Sequence, residues 1–294
     1  MNHRVCVIEC TVWTRHACTD LLSSRGMNAV RSGWRPLLLL LAQAFGCASE
    51  FGGTAEEFHM TAAASGEAYL VQVFLPREYD DAATHLPVAV VLDGPSASLP
   101  VAEFAEEDGH PPLVVVGVGY PEGFAPNRRL VDDTPTAVAE QPSGEATRFF
   151  GFLRDEVIPE IAHRYRVEAG PHVLMGHSLG GLFALHVALT QDPDVPVFDR
   201  IAAASPSLWW DGGVMFGVEE AFAATHDDLP IELFLGAGTL ESALILGYQR
   251  EMEQRLRARG YPGLRVSARE YRWIHHSAAW RPAYRDALRF FFPE

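Results

Sequence analysis

Lysine is absent from this 294-residue chain, so all 23 basic residues are Arg. They face 38 Asp and Glu, the formal charge is −15, and no Arg-rich stripe interrupts the acidic excess. Such a field repels phosphate backbones, which argues against nucleic acid as a partner. Cysteine is missing from everything after Cys47, because Cys6, Cys10, Cys18 and Cys47 are the only four. No disulfide framework or Cys metal site can therefore hold the main body together. Long apolar runs are lacking too. The longest, from Leu37 to Ala48, is about 12 residues and too short for a stable membrane span. There is no internal repeat and no low-complexity linker. What the chain does have is a core: 48% of it is hydrophobic and 21% charged, and Gly plus Pro make up 45 of 294 residues. That is the composition of a globular protein with one large domain or two small ones.

The N-terminal stretch reads as a leader over residues 1–48. Met27 opens a segment with Arg31 and Arg35, then apolar Leu37 to Leu41, then small residues ending in Gly46-x-Ala48. This is the order of a charged region, an apolar region and a cleavage site, so residues 27–48 are signal-like and 1–26 become a mis-assigned extension. Export is the expectation, and the alternative is a cytoplasmic protein with an interfacial leader. Ala44-Phe45-Gly46 is a poor match to the motif that precedes a lipidated cysteine. Cleavage after Ala48 removes five Arg and two acids, a net +3, which leaves −18.

Beyond residue 66 two periodicities alternate. Strand-length apolar runs are Ala68–Leu75, Pro87–Leu92, Leu113–Gly119, His172–Gly176, Ile201–Ala204, Ile231–Gly236 and Leu264–Tyr271. Helical spacing marks Thr147–Tyr165, Leu179–Thr190, Ser242–Arg259 and Trp280–Phe292. Runs such as Leu113-Val114-Val115-Val116 suit strands covered on both faces, hence an α/β fold with a mostly parallel sheet flanked by helices. One domain over 49–294, without a large lid, accommodates all of it. The polar, Pro-containing stretch Pro121–Ser143 reads as a long loop at the sheet's working edge.

The chemistry begins at Gly176-His177-Ser178-Leu179-Gly180. A Gly-x-Ser-x-Gly between an apolar strand and a helix is a nucleophile elbow, in which glycines relieve crowding around a strained serine. Ser178 is thus the expected nucleophile, and it needs a base within hydrogen-bond reach. The Leu179 amide, at a helix start, is the natural first oxyanion donor. In this arrangement the acid and the base follow on loops after later strands. Glu241 follows the run Ile231–Gly236 and is the candidate acid, with Asp211 as its rival. The last strand runs into His275-His276, one of which should be the base.

Three segments carry a resemblance. They are Phe149-Phe150-Gly151-Phe152-Leu153-Arg154-Asp155-Glu156-Val157-Ile158-Pro159, Gly176 to Leu182, and Ser205-Pro206-Ser207-Leu208-Trp209-Trp210. Together they resemble the putative esterase family of α/β-hydrolases (esterase D-like), closest to its enterochelin (ferric siderophore) esterase-like branch. Arg128-Arg129-x-x-Asp132-x-Thr134-Pro135 is similar to that branch's loop, and Leu92-Asp93-Gly94 to the strand end before its oxyanion loop. The resemblance covers roughly residues 50 to 294. Counting back from Ala287-Leu288-Arg289-Phe290 through Pro282-Ala283, as the family pattern runs, selects His276 over His275. Two departures stand out: Pro95 follows Asp93-Gly94 where relatives have a residue with an N–H, and Gly238-Thr239-Leu240-Glu241 keeps only the last carboxylate of the family's acid loop.

The resemblance implies a serine ester hydrolase acting on a small-molecule ester such as a siderophore-like lactone, with no metal and no cofactor. Ser178, His276 and Glu241 form its triad, and Leu179 with Gly94, Ser96 or a water its oxyanion hole. Arg128 and Arg129 are expected to hold an anionic substrate group, and Trp209 and Trp210 to pack on a ring. An acyltransferase on the same fold and a non-catalytic exported binding protein are the alternatives. The sequence is silent on oligomeric state.

Overall fold

The computed structural model describes residues 51–80, 85–107, 110–121 and 128–293. The expected leader, with its four cysteines and its signal-like segment, lies outside the described residues. Eight strands form one sheet: β1 (Thr54–Thr61), β2 (Ala68–Leu75), β3 (Val88–Leu92), β4 (Val114–Gly119), β5 (His172–His177), β6 (Phe198–Ala204), β7 (Glu232–Gly238) and β8 (Arg265–Tyr271). Their spatial order is β1-β2-β4-β3-β5-β6-β7-β8. The β1–β2 and β2–β4 pairs are antiparallel and every other pair is parallel.

The helices are α1 (Gly94–Glu107), α2 (Arg129–Asp132), α3 (Ala146–Phe152), α4 (Ile158–Arg164), α5 (Leu179–Ala188), α6 (Val214–Ala223), α7 (Ala243–Arg259) and α8 (His276–Phe291). They cover both faces of the sheet, and the strand sequences divide accordingly with period two. Val88, Val90, Val114 and Val116 point into a core shared with Leu182, Phe183 and Leu185 of α5. Their neighbours Ala89, Val91 and Val115 point the other way, toward Val101 of α1 and Tyr284 and Leu288 of α8. Burial on both faces is why these strands read as unbroken Val runs.

The stretch Pro121–Ser143, expected as a long loop, carries the short helix α2, α6 was not among the expected helices, and four further differences have local causes. β1 was missed because its TAEEFHMT alternation leaves most positions exposed, although it pairs with β2 along its whole length. α1 begins with Gly94-Pro95 and contains Pro100, so it carries no uninterrupted helical spacing to mark it in the sequence. Pro95 sits in the first turn, where an N–H has no intrahelical acceptor to lose. The single helix expected over Thr147–Tyr165 is interrupted by a π-helical turn, Leu153–Val157, just before Pro159. A proline ring clashes with the carbonyl four residues back, and a widened turn relieves the clash. The last helix starts at His276 instead of Trp280. Among the described residues no helix is long and apolar enough to cross a membrane.

β3 has β4 on one side and β5 on the other, so the chain reverses its direction of travel across the sheet there. Such a switch point opens a crevice beyond the carboxyl ends of the two strands. Those ends lead directly into Asp93 and Ser178.

Candidate active site

Ser178 caps α5 with φ 60° and ψ −115°, outside the comfortable regions for an L-residue. The strain is held by three backbone bonds. The Ser178 N–H donates to the Ala204 carbonyl (2.9 Å), and the Ser178 carbonyl accepts from Leu182 N–H (3.0 Å) and Ser207 N–H (3.0 Å). Gly176 permits this: a Cβ there would lie 2.1 Å from the Gly180 carbonyl oxygen. A larger residue at 176 would push the elbow apart.

The elbow aims Ser178 Oγ at His276 Nε2, 2.9 Å away, and His276 Nδ1 lies 2.6 Å from Glu241 Oε2. The histidine side chain is 39% exposed and the carboxylate not at all. Glu241 Oε1 accepts from Ser205 Oγ (2.6 Å) and from Gly238 N–H (2.7 Å). Burial works against its ionisation, but the hydrogen bonds from His276, Ser205 and Gly238 prevail and hold the carboxyl below its usual range. The β7 and β8 loops that carry these groups are tied together: Thr239 N–H donates to the Tyr271 carbonyl (2.9 Å) and Leu240 N–H to that of Ile274 (3.1 Å). Gly238 makes the approach possible, since a Cβ there would stand 2.1 Å from the Ile274 oxygen. Asp211, the rival acid, sits in a 3-10 turn with φ 44° and makes no bond to either histidine. His275 is the residue preceding α8, exposed, and outside the hydrogen-bonded chain.

Several contributors were invisible in the sequence. Ser205 and Ser207 come from the segment in which the two tryptophans drew attention, yet Ser205 holds Glu241 and Ser207 Oγ lies 3.3 Å from Ser178 Oγ. His177 is tucked beside His276, with ring centroids 4.6 Å apart, and its Nε2 is 2.9 Å from the His276 carbonyl oxygen. Burial, then the nearby His276 and Arg129, push His177 down to about 4. It is therefore neutral near pH 7, and Nε2–H donates to that carbonyl.

The oxyanion candidates separate cleanly. Leu179 and Gly94 are the first residues of α5 and α1, so neither amide has an acceptor inside its helix. Ser96 does not fit, because its N–H donates to the Asp93 carbonyl (2.9 Å) as the first turn of α1 closes. Its side chain lines a cleft of about 310 Å³ together with Asp93, Ser178, His276, Trp280 and Tyr284.

The two arginines expected as a substrate clamp are surrounded by acids. Arg129 donates to both Asp93 oxygens (2.7 and 2.9 Å) and to the His177 carbonyl (2.7 Å), with Asp133 at 3.7 Å. Arg128 is shared by Glu67 (3.2 Å), Asp132 (3.1 Å) and Glu145 (2.6 Å), and Asp132 also accepts from Tyr69 and Tyr120. Both guanidiniums hold the α2 segment to the sheet and direct most of their donors at protein acceptors, although Arg129 also lines the cleft. Trp210 is likewise structural: it is 3% exposed and its indole N–H donates to Thr136. Trp209 is 42% exposed. Among the described residues no cluster of His, Cys, Asp or Glu is placed to hold a metal ion.

Three buried histidines give the fold a pH signature. Burial drives His172, His177 and His186 each down to about 4, whereas an unfolded His titrates near about 6.5. The unfolded chain thus binds more protons between those values, so their stabilisation is fully present above about pH 6.5 and falls as pH drops toward 4. The urea midpoint is expected to fall over that window. His186→Gln should flatten the slope by up to about 1.4 kcal/mol per pH unit, and an unchanged slope would refute the assignment.

The chain is 32% identical over 202 residues to the ferri-bacillibactin esterase BesA of Bacillus subtilis, a match spanning 63% of this chain and 69% of that protein. It is 34% identical over 182 residues to the siderophore triacetylfusarinine C esterase of Aspergillus fumigatus, spanning 56% of this chain and 61% of that protein. The crystal structure of the BES protein from Bacillus cereus superposes with a TM-score of 0.73 at 27% identity, covering 82% of this chain and 96% of that one. The family model described as "Putative esterase" matches residues 62–291, and the chain accordingly belongs to that family of carboxylic ester hydrolases.

Proposed function

We propose that the chain hydrolyses a small carboxylic ester by two-step acyl transfer through Ser178. The observation that carries this reading is the continuous hydrogen-bonded line from Ser178 Oγ through His276 to the buried Glu241 carboxylate. His276 Nε2 takes the Ser178 proton while Oγ attacks the ester carbonyl, and the same proton passes to the departing alkoxide as the C–O bond breaks. Water then repeats the sequence on the acyl-serine and releases the acid. Glu241 fixes the Nδ1–H tautomer and stabilises the imidazolium. The Leu179 and Gly94 amides, at two helix N-termini, receive the developing oxyanion. Pro95 has no N–H to offer and that of Ser96 is spent within α1. Two of the relatives named above are a ferri-bacillibactin esterase and a siderophore triacetylfusarinine C esterase, which supports a siderophore-like lactone as the natural ester.

The test is a substrate panel, a chromogenic short-chain ester beside a trilactone siderophore and its ferric complex, followed by labelling with a fluorophosphonate. Expected are ester turnover, its loss on labelling, and a single adduct on the peptide containing Ser178. Turnover that survives full labelling, or an adduct elsewhere, would overturn the mechanism.

A further inference from the structure

Arg128 and Arg129 are largely neutralised by Asp93, Asp132, Glu67 and Glu145, so an anionic ester approaching this strongly acidic protein gains from cations outside that cluster. Among the described residues every guanidinium but two is engaged by a carboxylate or a backbone carbonyl. The two are Arg272 and Arg281, both exposed, and they bracket His276 in the chain. Each lies instead over the indole beside it: Arg272 Cζ is 5.3 Å from the Trp273 ring centroid and Arg281 Cζ 4.9 Å from that of Trp280. Trp280 itself lines the cleft that contains Ser178 and His276.

Trp273 adds an independent observation. It adopts φ 63°, a left-handed backbone that a bulky residue rarely takes, yet 67% of it is exposed, so core packing does not repay the strain. Its amide is held by Thr239 Oγ1 at 3.0 Å, on the loop that also carries Glu241. Strain of this kind, maintained by neighbours and placed beside a reactive group, points to a task for the side chain it presents.

We propose that Arg272 and Arg281, each backed by its tryptophan, recognise a negatively charged substituent of the ester. An indole behind a guanidinium orients the fork and strips part of its water, leaving the outward N–H groups for an anion. One such group stacked on a cleft-lining tryptophan and another four residues before His276 give an anionic substrate a local attraction inside a repelling field. The inference rests on the ester hydrolase reading and names the substrate charge that this site selects.

The test compares 4-nitrophenyl butyrate with the 4-nitrophenyl monoester of glutarate, which share a leaving group and differ in charge. Arg272→Gln or Arg281→Gln is expected to lower the glutarate-to-butyrate ratio of kcat/KM about three- to fivefold, and the double variant about tenfold. The loss should lie in the KM for glutarate, Lys at either position should restore most of it, and added salt should shrink the parent enzyme's ratio. A ratio that does not move in the double variant, or that moves without any salt dependence, overturns the proposal. A parent enzyme that turns over neither ester refutes the hydrolase reading first, whereas butyrate turnover with an unmoved ratio refutes this inference alone.

Discussion

Ser178→Ala is expected to cut kcat for a short-chain chromogenic ester by on the order of 10³-fold or more while the protein folds normally. The magnitude follows from what is left. Without Oγ the Leu179 amide and the cleft still bind, but no covalent step is available and His276 has no proton to take from the chain. His276→Ala should be as damaging, because His276 lies 2.9 Å from Ser178 Oγ and the other side chain within reach, the Ser207 hydroxyl at 3.3 Å, is no base at neutral pH. Because triad members act as a unit, the double variant should be little worse than either single one. His275→Ala provides the contrast: exposed and outside the hydrogen-bonded line, it should behave as a surface change within about 0.5 kcal/mol in stability. A single-turnover assay with circular dichroism on each variant decides the matter. Full activity in Ser178→Ala, or a His275 variant that fails like the His276 variant, would remove the assignment.

The parts of this site that could be read from the sequence are the parts encoded locally. The elbow is one contiguous motif, and its Gly176 and strained Ser178 are required by backbone contacts within a few residues. The β3, β4 and β5 runs were visible because burial on both faces makes them uniformly apolar. β1 and α1 were not, since an exposed edge strand carries no apolar period, and two prolines mask a helix whose first turn tolerates one of them. The same limit applies to the site. Ser205 meets Glu241 across 36 residues and Arg129 meets Asp93 across another 36. No spacing rule announces such contacts, which exist only because β3, β5, β6 and β7 end side by side. In the sequence the adjacent Arg pair reads as a substrate clamp or as partners of Asp132 and Asp133. In the fold, Asp93, Glu67 and Glu145 arrive from distant segments to join Asp132 and Asp133 around it.

Arg129→Ala should therefore act on stability before it acts on substrate. The Arg129 and Asp93 side chains are 15% and 12% exposed, and Asp133 is 4% exposed. Deleting the guanidinium leaves Asp93 without its bidentate partner and frees the His177 carbonyl. It also lets burial push Asp133 still further toward its protonated form. Breaking a buried pair in this way costs about 3–5 kcal/mol, which in a domain of this size lowers Tm by roughly 6–20 °C. Asp93 adopts φ 57° immediately before α1, so its displacement should also shift Gly94, and kcat should fall for neutral and anionic esters alike. That common loss separates Arg129 from Arg272 and Arg281, whose replacement should divide substrates by charge. The pair Arg129→Ala with Asp93→Ala should be less destabilised than the two single effects added together, by about 0.5–3 kcal/mol, because the second change removes the charge that the first abandons. Thermal melts of the four proteins in this cycle measure the coupling. Strict additivity would show that the Asp93–Arg129 contact does not hold the loop, and a loss confined to anionic esters would return Arg129 to the substrate.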